Sequence, residues 1–127
     1  MTKPYQVVGI GNAVSDVIAT TSDAFLVENG VEKGIMQLID QPRAKELFSA
    51  MDARTETPGG SVANTISGLG SLGVRTAFIG RVADDELGLS YATAMTVEGT
   101  DFPNPPVANA MLPTSRSMIF VSPDGER

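Results

Sequence analysis

The sequence predicts an α/β fold built on a mainly parallel sheet. Three observations carry it. Short apolar runs that suit buried strands alternate with capped or amphipathic segments that suit helices. The first run, in VVGIGNAVSD, ends on two glycines spaced G-x-G. A glycine pair opens the helical segment GGSVANTISGLGSLG, and another strand-like run comes after it. Strand, helix, strand, helix in this order calls for crossover helices between parallel strands.

Gln6 to Ile10 is apolar and closed by glycine, a buried strand. Val17 to Thr20 is β-branched and extends or pairs as another. Ser22 caps a short helix over Asp23 to Asn29, with Gly30 as its left-handed stop. Gly34 to Ile39 suits a strand. Asp40 or Gln41 precedes Pro42, a favourable first-turn proline, and a helix continues through about Met51.

From Ser61 the pattern is helical, because Val62, Ile66 and Leu69 recur on one face until Leu72 and Gly73 end it. Gly68 and Gly70 cost helix propensity there, which close packing against a neighbour would explain. Thr76 to Ile79 reads as a strand, and a helix runs from Asp85 to about Glu98 with Gly99 as its stop. Prolines 103, 105, 106 and 113 make Phe102 to Pro113 a loop or an edge. Arg116 to Ser122 is a strand, and Pro123, Asp124 and Gly125 signal a turn. A turn there predicts a returning strand, yet the chain stops at Arg127, so the reading is of an incomplete domain.

Composition narrows the function. The chain has 127 residues, 42% hydrophobic and 19% charged, enough for one domain with a core. A net charge of −6 and the lack of a Lys/Arg run disfavour nucleic acid and anionic membranes as main partners. No stretch is long and apolar enough to cross a bilayer, and the amino terminus lacks a signal-peptide run, so a cytoplasmic protein is expected. Without Cys or His, thiol nucleophiles, thiolate or imidazole metal sites and a Ser-His-Asp triad cannot be built. Acid–base chemistry would fall to carboxylates, Lys, Tyr or water. The run Arg81 to Gly88 holds Asp84, Asp85 and Glu86, which suit helix capping better than a metal site.

VVGIGN fits a dinucleotide turn poorly. Val14 replaces the third glycine, and the β-branched run after it does not begin a helix. Asn12 and Asp16 instead lie just past a strand end, where open α/β sheets bind ligands. A carboxylate and an amide there suit a polyol, although for either residue taken singly a turn former is the favoured reading. Gly59 and Gly60 bare the backbone at a helix start whose first-turn N–H groups face outward, with Asn64 one turn in. The plainer reading is a turn capped by Ser61.

GIGNAVSD, PGGSVANTISGLGSLG, FIGRVADDELG and PTSRSMIFVSPDGER occur together in order. The chain thereby resembles the amino-terminal portion of a ribokinase-like (PfkB family) carbohydrate and nucleoside kinase, over essentially all 127 residues. Ala83 departs from the family's usual glycine, leaving Asp85 and Gly88 in place. The resemblance implies part of a doubly wound sheet with a small β-sheet lid, its strands near 17–20, 35–39 and 107–122. It implies that Asp16 binds sugar or ribose hydroxyls with Asn12 beside it. Gly59 and Gly60 would line the substrate and act as a hinge, and Asn64 would bond another hydroxyl. Gln37 and Ile39 would touch the base or aglycone, and Arg127 would sit near the transferred phosphate in a supporting catalytic role.

The family's second signature, D-T-x-G-A-G-D, supplies the phosphate-binding amides and the base, and it does not occur here. ATP and Mg2+ are therefore expected to serve the full-length enzyme, with no cofactor or metal bound by this chain alone, which would be inactive. The expected acceptor is a nucleoside, adenosine first, or a sugar. The resemblance also admits a homodimer through the lid sheet. Alternatives are a non-catalytic sugar-binding or dimerisation module and a dinucleotide-binding fragment.

Overall fold

The computed structural model describes residues 3–127, which form two compact units. One comprises the chain up to Ser15 together with Thr57–Arg116; the other comprises Asp16–Glu56 and Ser117–Arg127.

The first unit is built on β1 (Val7–Ile10), β4 (Thr76–Ile79) and β5 (Thr100–Asp101), in the order β1-β4-β5 and parallel throughout. Val7 pairs with Thr76, Ile10 with Ile79, and Thr76 with Thr100. Helices α3 (Ser61–Ser71) and α4 (Glu86–Val97) supply the cover. Ile66, Phe78, Val82, Tyr91 and Met95 share one buried cluster with Ala13 and Ala63, so both helices lie over the face that carries Phe78. The opposite face shows Val8, Ile10 and Ile79 at 50, 74 and 44% exposure.

The G-x-G spacing has a packing cause. A Cβ on Gly9 would fall 2.4 Å from the Ile66 side chain, and one on Gly11 3.0 Å from Val62 Cβ. Bare backbone therefore lets the apolar stripe of α3 lie close on β1. The chain then enters β2 (Val14–Thr20), not the helix a dinucleotide turn requires. The two interior glycines of α3 divide. Gly70 abuts Thr76, Gly99 and Thr100, whereas a Cβ on Gly68 would meet nothing, so the packing explanation holds for Gly70 alone. Asp85, the N-cap of α4, accepts from Gly88 N–H at 2.8 Å and from the Thr114 amide and hydroxyl at 2.9 and 2.6 Å.

The second unit holds α1 (Asp23–Glu28), capped by Ser22 as its sequence predicts, and α2 (Gln41–Ala50), whose start the sequence leaves between Asp40 and Gln41 and whose N-cap is Asp40. A second sheet runs β3-β2-β6, with β3 at Thr55–Gly59 and β6 at Ser115–Val121; the chain passes between the units along these strands. Val17 and Ala19 point into the core, and Phe25 meets Phe120 at 5.4 Å. The strand β3 is not among the elements expected from the sequence; its Pro58 is tolerated on a sheet edge.

The strand expected over Gly34 to Ile39 does not form: residues 35–40 are irregular and exposed. Strand-forming side chains need a neighbouring ladder for their backbone groups. Among the described residues, the backbone partner found here is for Gly34 N–H, on the carbonyl of Arg127 at 3.0 Å.

Candidate functional site

In the first unit, two motifs distant in sequence meet. β1 is carried one residue further by Gly11 N–H donating to Ile79, at 3.1 Å, which delivers exposed Asn12 just past the strand end. Gly60 is the N-cap of α3 at φ +100, a conformation that favours glycine, and has no side chain to cap with. A Cβ on Gly60 would lie 2.5 Å from the Asn12 carbonyl oxygen, so two backbones touch where any side chain would separate them.

Asn64 N–H closes the first helical turn on the Gly60 carbonyl at 2.8 Å, leaving the amides of residues 61–63 without an intrahelical acceptor. Asn12, Gly60 and Asn64 thus share one end of this unit. The N-cap is Gly60, and Ser61 is the first helical residue; its predicted capping role is not observed.

Gly59 is buried, and its carbonyl accepts from the Tyr91 hydroxyl at 2.9 Å. Tyr91, itself 1% exposed, therefore fixes the glycine pair from within the core. Sequence reasoning passes over it, although a lone Tyr inside an apolar helix needs a partner for its hydroxyl. Asn104 also escapes notice in the sequence: it donates to Phe78 O at 2.8 Å and accepts from Gly80 N–H at 3.3 Å, clamping the end of β4. Nothing in a proline-rich loop signals that role.

In the second unit, Asp16 stands on the half-buried face of β2, opposite Val17. Burial pushes its carboxyl up, and no donor or cation among the described residues pulls it back. A carboxylate kept short of partners is poised to accept hydrogen bonds from a ligand.

Gln37 and Ile39 lie in the irregular 35–40 segment; the Gln37 side-chain oxygen accepts from Glu32 N–H at 3.4 Å. Arg127 is exposed and reaches this segment through its own carbonyl on Gly34. A cavity of about 250 Å³ in the same unit is lined by Thr20, Phe25, Met51, Asp52 and Phe120, none of them a predicted site residue. Among the described residues no three carboxylates gather to hold a metal ion, and no helix is long and apolar enough to cross a membrane.

No family model and no curated protein sequence matches the chain. Solved structures do. Adenosine kinase from Sinorhizobium meliloti is 45% identical and superposes with a TM-score of 0.80, over 98% of this chain and 38% of its own. A probable sugar kinase from Rhizobium etli CFN 42 is 40% identical, with a TM-score of 0.81, over 99% of this chain and 38% of its own. Adenosine kinase from Trypanosoma brucei brucei is 30% identical, with a TM-score of 0.65, over 80% of this chain and 33% of its own. The chain thus spans little more than a third of the length of these relatives, and within that span it belongs to the ribokinase-like kinases.

Proposed function

We propose that this chain is the acceptor-binding part of a kinase that moves the ATP γ-phosphate to a hydroxyl of a nucleoside, with adenosine the first candidate and a free sugar the second. The observation that carries the reading is the 45% identity to an adenosine kinase over nearly the whole chain. The close approach of Gly60 to Asn12 supports it, since it brings Asn12 to the start of α3, where the first-turn amides have no intrahelical acceptor and Asn64 lies one turn in.

In this reading Asp16 accepts from sugar hydroxyls, Asn12 and Asn64 bond further hydroxyls, and the Gly59–Gly60 backbone lines the sugar. Gln37 and Ile39 meet the base, and Arg127 lies near the transferred phosphate. Transfer itself needs positioning and charge stabilisation around the phosphates. The D-T-x-G-A-G-D segment, which would supply the phosphate-binding amides and the base, does not occur in this sequence, and that supports assigning ATP and Mg2+ to other parts of the kinase. Those belong to the full-length enzyme, placed in the cytoplasm, and the chain alone turns nothing over.

Titration calorimetry with adenosine, ribose and NAD tests this. Adenosine should bind, and Asp16→Ala should weaken it on the order of tenfold, as loss of a charge-assisted hydrogen bond does. Absence of adenosine and ribose binding contradicts the reading. NAD binding that survives Asp16→Ala would favour a dinucleotide site instead. ATP-dependent phosphorylation by the chain alone would overturn its assigned inactivity.

A further inference from the structure

Tyr91 lies midway along α4, inside the buried cluster that holds Ala63, Ile66 and Phe78. Aromatic neighbours fix its ring. Phe102 stands 5.6 Å away at 60°, and Phe102 in turn stacks on Phe78 at 6.2 Å. The hydroxyl at the far end of that ring donates to the Gly59 carbonyl, 32 positions away in sequence. A buried tyrosine needs an acceptor. This one takes a carbonyl of the peptide that joins the two glycines.

That bond fixes an orientation. A trans peptide is planar, with its carbonyl and its N–H pointing opposite ways. The Gly59 carbonyl is turned toward Tyr91, so the Gly60 N–H is turned away from it. The glycines themselves do little to resist rotation of this peptide, since neither has a side chain. Yet the geometry is exacting: Gly60 sits at φ +100 and leaves no room for a Cβ against the Asn12 carbonyl. A restraint from outside the pair is needed to hold it, and the Tyr91 hydroxyl supplies one.

We propose that Tyr91 is a positioning residue for the acceptor: its hydroxyl holds the Gly59–Gly60 peptide carbonyl-inward, so that the Gly60 N–H joins the amides of residues 61–63 as a preformed set of donors. This rests on the acceptor-binding reading above. Donors ordered before binding cost less to engage than donors ordered by it. Without the hydroxyl, the buried Gly59 carbonyl loses that bond, and the peptide gains by rotating to find another. Rotation would put a carbonyl oxygen where the Gly60 N–H had been. Tyr91 thus acts on the ligand through backbone it does not share with it.

Tyr91→Phe keeps the ring and removes the hydroxyl. Met95→Val, one turn on in the same cluster, is the control for a merely structural loss. Calorimetry should find adenosine about fivefold weaker on Tyr91→Phe, and within about twofold of the unaltered chain on Met95→Val, although both variants melt earlier. Hydrogen exchange of the amides of residues 60–63 should quicken by about tenfold in Tyr91→Phe beyond any change in Met95→Val. On the unaltered chain, bound adenosine should slow exchange at Gly60, a readout independent of how either variant folds. Equal adenosine affinity in Tyr91→Phe and the unaltered chain overturns the proposal and leaves the acceptor-binding reading intact. An equal loss of affinity in Met95→Val, or no protection of Gly60 by adenosine, also overturns it. If adenosine does not bind the unaltered chain, the acceptor-binding reading falls; unchanged exchange at residues 60–63 in Tyr91→Phe then overturns the positioning role separately.

Discussion

Asp85 binds more donors than a helix cap requires. Burial alone would raise its carboxyl, but the Thr114 hydroxyl and amide and the Gly88 N–H outweigh it and hold the carboxyl below its ordinary value. A depressed carboxylate contributes stability above its unfolded pKa and loses it as pH falls through the folded one. Asp85→Asn should therefore cost about 1–2 kcal/mol near neutrality in urea unfolding, with the deficit shrinking toward about pH 3. Asp16 has the opposite sign. Its raised carboxyl makes the ionised form a burden on the fold, so stability falls as pH rises through the folded pKa. Asp16→Asn should leave the free chain more stable at pH 7 while weakening polyol binding. A parallel loss of stability and binding would place Asp16 in the structure, not in the site.

At the scale of elements, α3 allows a paired test. Gly68→Ala meets nothing and should stabilise by about 0.5–1 kcal/mol through helix propensity. Gly70→Ala brings a methyl to 2.6 Å from Thr100 Oγ1 and 2.9 Å from the Gly99 carbonyl, and should destabilise by about 1–3 kcal/mol despite the same propensity gain. Thermal melts of the two variants should move in opposite directions.

The elements also separate what local sequence encodes from what it does not. The caps at Ser22 and Asp85 and the stops at Gly30, Gly73 and Gly99 are legible because each acts within a turn of its own position. Residues 35–40 mislead because a strand is a property of two segments, and side-chain composition reports only one. Among site residues, the Asn12–Gly60 approach is invisible for the same reason: 48 positions separate two motifs, each an ordinary turn by itself. Tyr91 and Asn104 act through backbone carbonyls, which carry no sequence signature.

For the molecule as a whole, the paired Ile10 and Ile79 with Val8 leave an apolar sheet face in water. Such a face invites association. Replacing Ile10 and Ile79 by Thr should lower dye binding and light scattering while changing unfolding stability by less than about 1 kcal/mol, because exposed side chains lose little on truncation. A large loss of stability would mean that the face is packed in solution.

The central claim is that this chain grips hydroxyl groups of a nucleoside through Asp16. A double-mutant cycle between protein and ligand isolates that contact. Calorimetry would compare adenosine with its 2′-deoxy and 3′-deoxy forms, on the unaltered chain and on Asp16→Ala. The account predicts that removing one of these hydroxyls weakens binding on the order of tenfold in the unaltered chain and has little further effect in Asp16→Ala. Equal penalties in both proteins for each deoxy form would contradict it.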